Sequence, residues 1–225
     1  MMDIYYFVLV IPCLIFSLIV QAVLKSTYSK YSNVYSSCGL TGADIARRVM
    51  EINGVYNVSV APVSGTLTDH YDPQTNTVYL SQGVYGSSSL AALGVAAHEA
   101  GHAVQMNEKY APLVFRNSIV PAVNLASKLS WWIFIIGLLL GFLKFAELGV
   151  ILFGFSTLFH LVTLPVELNA SRRATAMLSG GYLNIEEIKG TKKVLSAAAM
   201  TYVAALAVSV MQLLRFISLL GGRRR

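Results

Sequence analysis

Four long stretches with almost no charge limit what this chain can become, because so much uninterrupted apolar length cannot all be buried in one small water-soluble core. The first, Ile4 to Leu24, contains no Asp, Glu, Lys or Arg. At about 1.5 Å of rise per residue it can cross a hydrocarbon core of roughly 30 Å. Only Met1-Met2-Asp3 precedes it, without a basic residue, and no small-x-small cleavage site follows, so it reads as a permanent span and not a cleaved leader. The second span covers about 122–143, with Lys128 reaching to the interface and Trp131 and Trp132 as interfacial anchors. Lys144 and Glu147 form a polar break before the third span, 148–166, so the two make a hairpin. The Ala-rich run 194–214 is the fourth. A hydrophobic fraction of 55% against 12% charged residues over 225 positions agrees with this reading.

The water-facing remainder is small, about 25–118 plus 167–193, and is expected to form one unit with the spans. Thr41 and Asp44 have capping-box spacing, and Ile45, Val49 and Ile52 recur at helical intervals before Gly54. Val58 to Val63 and Thr77 to Ser81 read as strands, with a turn at Asp72-Pro-Gln-Thr-Asn76 between them. A further helix is expected from Ser88 through Ala97 to about Met106.

The formal net charge is +6, but the basic residues are spread along the chain and gather beside apolar segments. That distribution fits membrane topology and anionic lipid contact and argues against nucleic acid. Cys13 lies in an apolar run and Cys38 before a helix, so neither is read as half of a structural disulfide.

Chemistry concentrates in Gly94-Val-Ala-Ala-His-Glu-Ala-Gly-His-Ala-Val-Gln105. On a helix His98 and His102 share a face one turn apart, where both imidazoles can ligate one Zn2+. Glu99 is offset around the helix, free to act as general base toward a water at the metal. A shuffled chain of this composition would contain the His-Glu-x-x-His pattern roughly 0.002 times, so coincidence is a poor explanation.

A catalytic zinc needs a third protein ligand and an open position. Glu167 follows the third span, two crossings after His102, and so returns to the same side of the bilayer. Glu147 lies at the far end of the hairpin, and Glu186 and Glu187 come later, before a basic stretch. The bland alternative for Glu167 is an interfacial carboxylate paired with Arg172 or Arg173.

His98-Glu-Ala-Gly-His102, the hairpin, and Glu167-Leu-Asn-Ala-Ser-Arg-Arg-Ala174 together resemble the neutral zinc membrane metallopeptidases of the YugP type. The resemblance extends over nearly the whole chain, including Leu67 to Pro73 and Val78 to Tyr85. It is similar, more distantly, to membrane-embedded CAAX and heat-shock proteases, in which a Glu-x-x-Ala-Asp segment supplies the third ligand. Ser171 stands where that pattern has an Asp, removing the expected acidic support for the ligand set. The resemblance implies a four-pass bacterial plasma-membrane peptidase. The fold expected is a mainly α membrane protein: four transmembrane helices and a small α+β zincin-like catalytic region containing a short sheet.

Two other histidines have divided readings. His70 and Tyr71 precede the presumed sheet edge, where a substrate strand could pair and His70 could donate to a developing oxyanion; the alternative is a turn histidine bonded to Asp69 or Asp72. His160, two turns before Glu167, reads as a buried hydrogen-bonding residue, with a role beside the metal as the alternative.

Lys25, Lys30, Arg116, Lys128, Arg172, Arg173, Lys189, Lys192 and Lys193 flank spans on the His98 side, outnumbering Lys144 and the terminal Arg223 to Arg225 on the other. The positive-inside rule then expects a cytoplasmic active site. The function expected is a zinc-dependent membrane endopeptidase acting on a peptide or membrane-protein substrate. A zinc-stabilised scaffold or chaperone-like protein, and an intramembrane zinc protease, stay open beside it.

Overall fold

In a computed structural model, residues 4–223 are described. Arg224 and Arg225, two members of the expected basic tail, lie outside them. A π-helical turn, Tyr6–Val10, leads into α1 (Ile11–Ser32), followed by α2 (Gly42–Ile52), β1 (Ser59–Val63), β2 (His70–Asp72), β3 (Thr77–Ser81), the single turn α3 (Gln82–Tyr85), α4 (Leu90–Asn107), α5 (Ala111–Leu139), α6 (Leu143–Ser179) and α7 (Ile185–Arg223). The fold is mainly helical with one short sheet. Four helices, Tyr6–Ser32, α5, α6 and Ile185–Gly222, are long and apolar enough to cross a membrane.

Cα proximity separates two units. One comprises residues up to Gln21, Val114–Pro165 and the chain from Met200 onward; the other comprises Ala22–Leu113 and Val166–Ala199.

In the first unit, α5 and α6 form the hairpin that the sequence suggests, but the turn falls at Leu140 to Phe142, ahead of Lys144 and Glu147. Gly141 adopts φ +74° there, a left-handed conformation that a residue without Cβ enters at no steric cost. Conformation, not polarity, therefore sets the bend, and the charged pair lies in the first turns of α6. A Cβ on Gly149 would lie 2.6 Å from the Phe134 backbone nitrogen, so the two helices touch through a small residue, as close packing in lipid requires. Phe134 stacks on Phe216 at 4.1 Å between centroids, and Phe153 meets the same ring edge-on at 5.1 Å. Thr157 and Ser209 hydroxyls, 2.8 Å apart, bond α6 to α7. Trp132 is 65% exposed, whereas Trp131 leans on Phe216 at 5.7 Å. Cys13 is a free thiol, as is Cys38 in the other unit.

The second unit is built around α4. Ser89 caps it by accepting from the Ala92 N–H at 3.3 Å, and its Ala, Gly, Leu and Val residues are buried against α2 and the sheet. The capping box on α2 is formed in full: Asp44 N–H donates to Thr41 Oγ1 at 3.2 Å, and Thr41 N–H donates to Asp44 Oδ2 at 3.0 Å. The α2 face of Ile45, Ala46, Val49 and Met50 is buried, while Ile52, grouped with it on periodicity, is 71% exposed at the helix end.

The sheet has the order β1-β3-β2, with β1 parallel and β2 antiparallel to the central β3. The predicted Thr77–Ser81 strand is found with those bounds. The β2 strand has no counterpart in the sequence reading, because His70-Tyr71-Asp72 is too short and polar to show alternation. The turn joining it to β3 is the expected one. Asp72 Oδ1 accepts from the Gln74 N–H at 2.8 Å, and Asn76 takes φ +47°.

Candidate metal centre

His98 and His102 project from adjacent turns of α4, their rings edge to face at 4.8 Å between centroids. Glu167, on α6 and only 3% exposed, turns toward both: its Oε2 lies 3.2 Å from His98 Nε2 and 3.5 Å from His102 Nε2. All three belong to the same unit. Close helix contact makes this reach possible, since Gly101 offers no side chain where a Cβ would lie 3.3 Å from the Ala170 carbonyl oxygen. Ala170 itself is fully buried.

The three donor atoms lie within 4.8 Å of one another and could hold a metal ion. Their chemistry fits zinc. Ligand atoms about 2.0–2.1 Å from an ion at tetrahedral angles are about 3.3–3.4 Å apart, and the two Glu167 separations fall on either side of that value.

Both rings are held from behind. Ser171 Oγ sits 3.1 Å from His98 Nδ1, and Gln105 Oε1 sits 3.0 Å from His102 Nδ1. Support at position 171 is therefore present, contrary to the expectation drawn from the missing Asp: a serine hydroxyl reaches the ring directly. At His102, burial disfavours the charged imidazole, but the hydrogen bond and charge of Glu167, joined by the charge of Glu99, raise the pKa above the usual histidine value.

Other carboxylates near the spans are engaged elsewhere. Glu147 pairs with Lys144 at 3.4 Å, Glu186 with Lys189 at 2.7 Å, and Glu187 accepts from the Ser37 and Asn184 backbone N–H groups. Arg173, one of the two arginines considered as a surface partner for Glu167, pairs instead with Glu108 at 2.6 Å. Glu99 is half-buried, and among the described residues no hydrogen-bond or ion-pair partner is found for its carboxylate.

Neither of the other two histidines joins this group. His70 is exposed on β2, its Nδ1 2.8 Å from the Thr68 carbonyl oxygen and its ring stacked on Tyr79 at 5.1 Å. The local bond is thus to Thr68, not to Asp69 or Asp72; Asp69 accepts instead from the Ser81 N–H at 2.7 Å. His160 lines a cavity of about 600 Å³ together with Tyr6, Trp131, Ser156, Gln212 and Arg215. Among the described residues it has no hydrogen-bond partner. The sequence reading also passed over Gln105 and Asn169, whose spacing from His102 and Glu167 was the available signal: i+3 on one helix and i+2 on the other.

A family model described as "Putative neutral zinc metallopeptidase" matches residues 6–221. "Putative membrane protease YugP" of Bacillus subtilis (strain 168) is 52% identical over 205 residues, covering 90% of this chain and 91% of the relative. No solved structure matches. With its His-His-Glu cluster and four membrane-capable helices, the chain belongs to the family described as putative neutral zinc metallopeptidases.

Proposed function

We propose that this protein is a zinc-dependent membrane endopeptidase in which His98, His102 and Glu167 hold the ion and Glu99 is the general base. The convergence of Glu167 on both imidazoles carries the reading, since two rings and a carboxylate gathered at metal-ligand spacing beside a His-Glu-x-x-His helix are the donor set a zinc ion takes. When bound, zinc would supply Lewis acidity, bringing a water toward a pKa of ~7 and polarising a carbonyl.

The chain's own residues do the rest. Glu99, one residue from His98 and without a competing partner among the described residues, takes the proton of the attacking water and returns it to the leaving amine. An extended peptide adds to the open edge of β2, and His70 on that strand is a donor for the developing oxyanion. Clustered basic residues beside the spans favour a cytoplasmic site in the bacterial plasma membrane.

Three-residue ligation favours catalysis over a closed structural zinc, because it leaves a coordination position for substrate. The motif helix α4 is not one of the four membrane-capable helices, which disfavours an intramembrane protease. Purified full-length Glu99→Gln should retain zinc and lose at least about 10²-fold in cleavage of a peptide library. Unchanged turnover in that variant would remove Glu99 from its role, and zinc without cleavage in the wild type would favour the scaffold reading.

A further inference from the structure

Gln105 is fully buried one turn beyond His102 and makes three hydrogen bonds. Its Oε1 lies 3.0 Å from His102 Nδ1, and its Nε2 donates to the Val166 carbonyl at 3.0 Å and to Asn169 Oδ1 at 2.9 Å. The direction of these bonds is fixed at both far ends. A backbone carbonyl only accepts, so the Gln105 atom facing Val166 must be the amide nitrogen. Arg173 Nε donates to Asn169 Oδ1 at 2.8 Å, and a guanidinium only donates, so the Asn169 atom between Arg173 and Gln105 must be the oxygen. Arg173 is itself held by Glu108 at 2.6 Å.

Both amide protons of Gln105 are thus committed to acceptors, and reversing the amide would set oxygen against oxygen twice. What remains toward His102 is a pure acceptor, which requires a proton on Nδ1 and, in the neutral ring, leaves the lone pair on Nε2. That atom is the one turned to Glu167. His98 lacks such direction, because the Ser171 hydroxyl can donate or accept.

We infer that Gln105, locked by Val166 and by the Asn169 and Arg173 pair, is the positioning residue that makes His102 Nε2 a metal donor and ties its helical turn to the turn bearing Glu167. The inference rests on the metal-site reading above and adds to it which residue selects the tautomer. Outer partners of metal-bound histidines are worth about 10–100-fold in affinity, enough to measure.

The test uses full-length protein in detergent, with zinc affinity read by competition against a chromophoric chelator and His102 followed by ¹⁵N NMR in the zinc-free state, at a pH where the ring is neutral. Wild type is expected to bind one zinc per chain and, before zinc is added, to carry the His102 proton on Nδ1 alone. Gln105→Met should keep that capacity, bind about 10–100-fold more weakly and lose the single Nδ1–H state. Asn169→Asp still presents oxygen to both Arg173 and Gln105 and should stay within about threefold of wild type. Wild-type affinity and an unchanged tautomer in Gln105→Met would overturn the role of Gln105 and leave the ligand set standing. Failure of the wild type to take up zinc would overturn the ligand set, and this role with it. If Gln105→Met does not fold, Arg173→Met at the accessible end of the network decides: about tenfold weaker binding supports the assignment, and wild-type affinity overturns it.

Discussion

The Ser171 hydroxyl oxygen lies 3.1 Å from Nδ1 of His98, across the contact between α6 and α4 and 73 positions away in sequence. One turn before it on α6, Glu167 faces the other nitrogen of the same ring at 3.2 Å. The two residues therefore grip the imidazole from both ends, and its plane is set by α6 as much as by its own helix.

Removing that grip has a defined consequence. Ser171→Ala leaves Nδ1 of His98 without its partner and lets the ring rotate, so zinc affinity should fall about 10-fold or more. Ser171→Asp, a pure acceptor that holds a proton on Nδ1 and makes the ring a stronger donor through Nε2, should restore it. Chelator competition on the purified variants reads both. Equal affinity in Ser171→Ala and wild type would mean that packing alone orients His98.

Gly101 sits between the two histidines in sequence and against Ala170 across the helix contact. A Cβ there would lie 3.3 Å from the Ala170 carbonyl, tighter than ordinary contact, and a branched side chain would add atoms in a space that does not exist. Gly101→Val should cost about 1–3 kcal/mol through overpacking. It should also draw Glu167 away from the imidazoles, lowering zinc affinity although no ligand has changed. Gly101→Ala asks for a shift of only a few tenths of an ångström and should lie between Gly101→Val and wild type. A thermal unfolding series paired with zinc titration checks the order; affinity unaffected in Gly101→Val would show that the helix separation is not what places Glu167.

Some of this was legible from residue patterns and some was not. The capping box and the central strand show themselves locally, through Thr41 with Asp44 and through the buried residues of Thr77–Ser81. The candidate metal cluster was legible for a different reason: His98 and His102 announce a helix face, counting membrane crossings removes Glu147, and Glu167 stands directly at the end of the returning span, ahead of Glu186 and Glu187. The β2 strand is invisible because three polar residues become a strand only when β3 supplies the ladder. The support of the histidines by Ser171 and Gln105 depends on which α6 residues face α4, which follows from the Gly101 and Ala170 contact and not from composition. The hairpin bends ahead of Lys144 and Glu147 because Gly141, which can adopt φ +74°, stands just before them, a conformational preference that the charge pattern does not carry.

The α2 capping box gives a pH-dependent prediction. The Thr41 hydroxyl and N–H both donate to Asp44, at 2.6 and 3.0 Å, and these bonds, the side-chain one foremost, lower its pKa below the ordinary 3.8. A carboxyl group lowered on folding contributes stability that is complete above its unfolded pKa and disappears as pH falls through its folded one. Thr41→Ala should therefore cost about 1 kcal/mol at neutral pH. Part of its deficit relative to wild type should close below pH 3.8, once Asp44 is protonated in both proteins. Hydrogen exchange of the α2 amides at several pH values measures this, and a deficit constant down to pH 3 or below, roughly one unit under the unfolded value, would show that the Asp44 side of the box contributes nothing.

Metal removal tests the site without any substrate. An ion bound by the native site and not by the unfolded chain stabilises the fold by RT ln(1 + [L]/Kd), about 2.7 kcal/mol at a hundredfold excess over Kd. Because His98 and His102 lie on α4 and Glu167 on α6, that energy acts across the contact between these helices. Zinc should raise the thermal midpoint of the wild type, and a chelator should return it to the metal-free value. Glu167→Gln keeps the shape of the side chain but lacks the charged oxygen that faces both rings. Its midpoint should respond to zinc far less, while Glu147→Gln, altered at the Lys144 pair in the hairpin, should respond as wild type does. An equal zinc response in Glu167→Gln and wild type would remove Glu167 from the ligand set and leave the two histidines to find their third partner elsewhere.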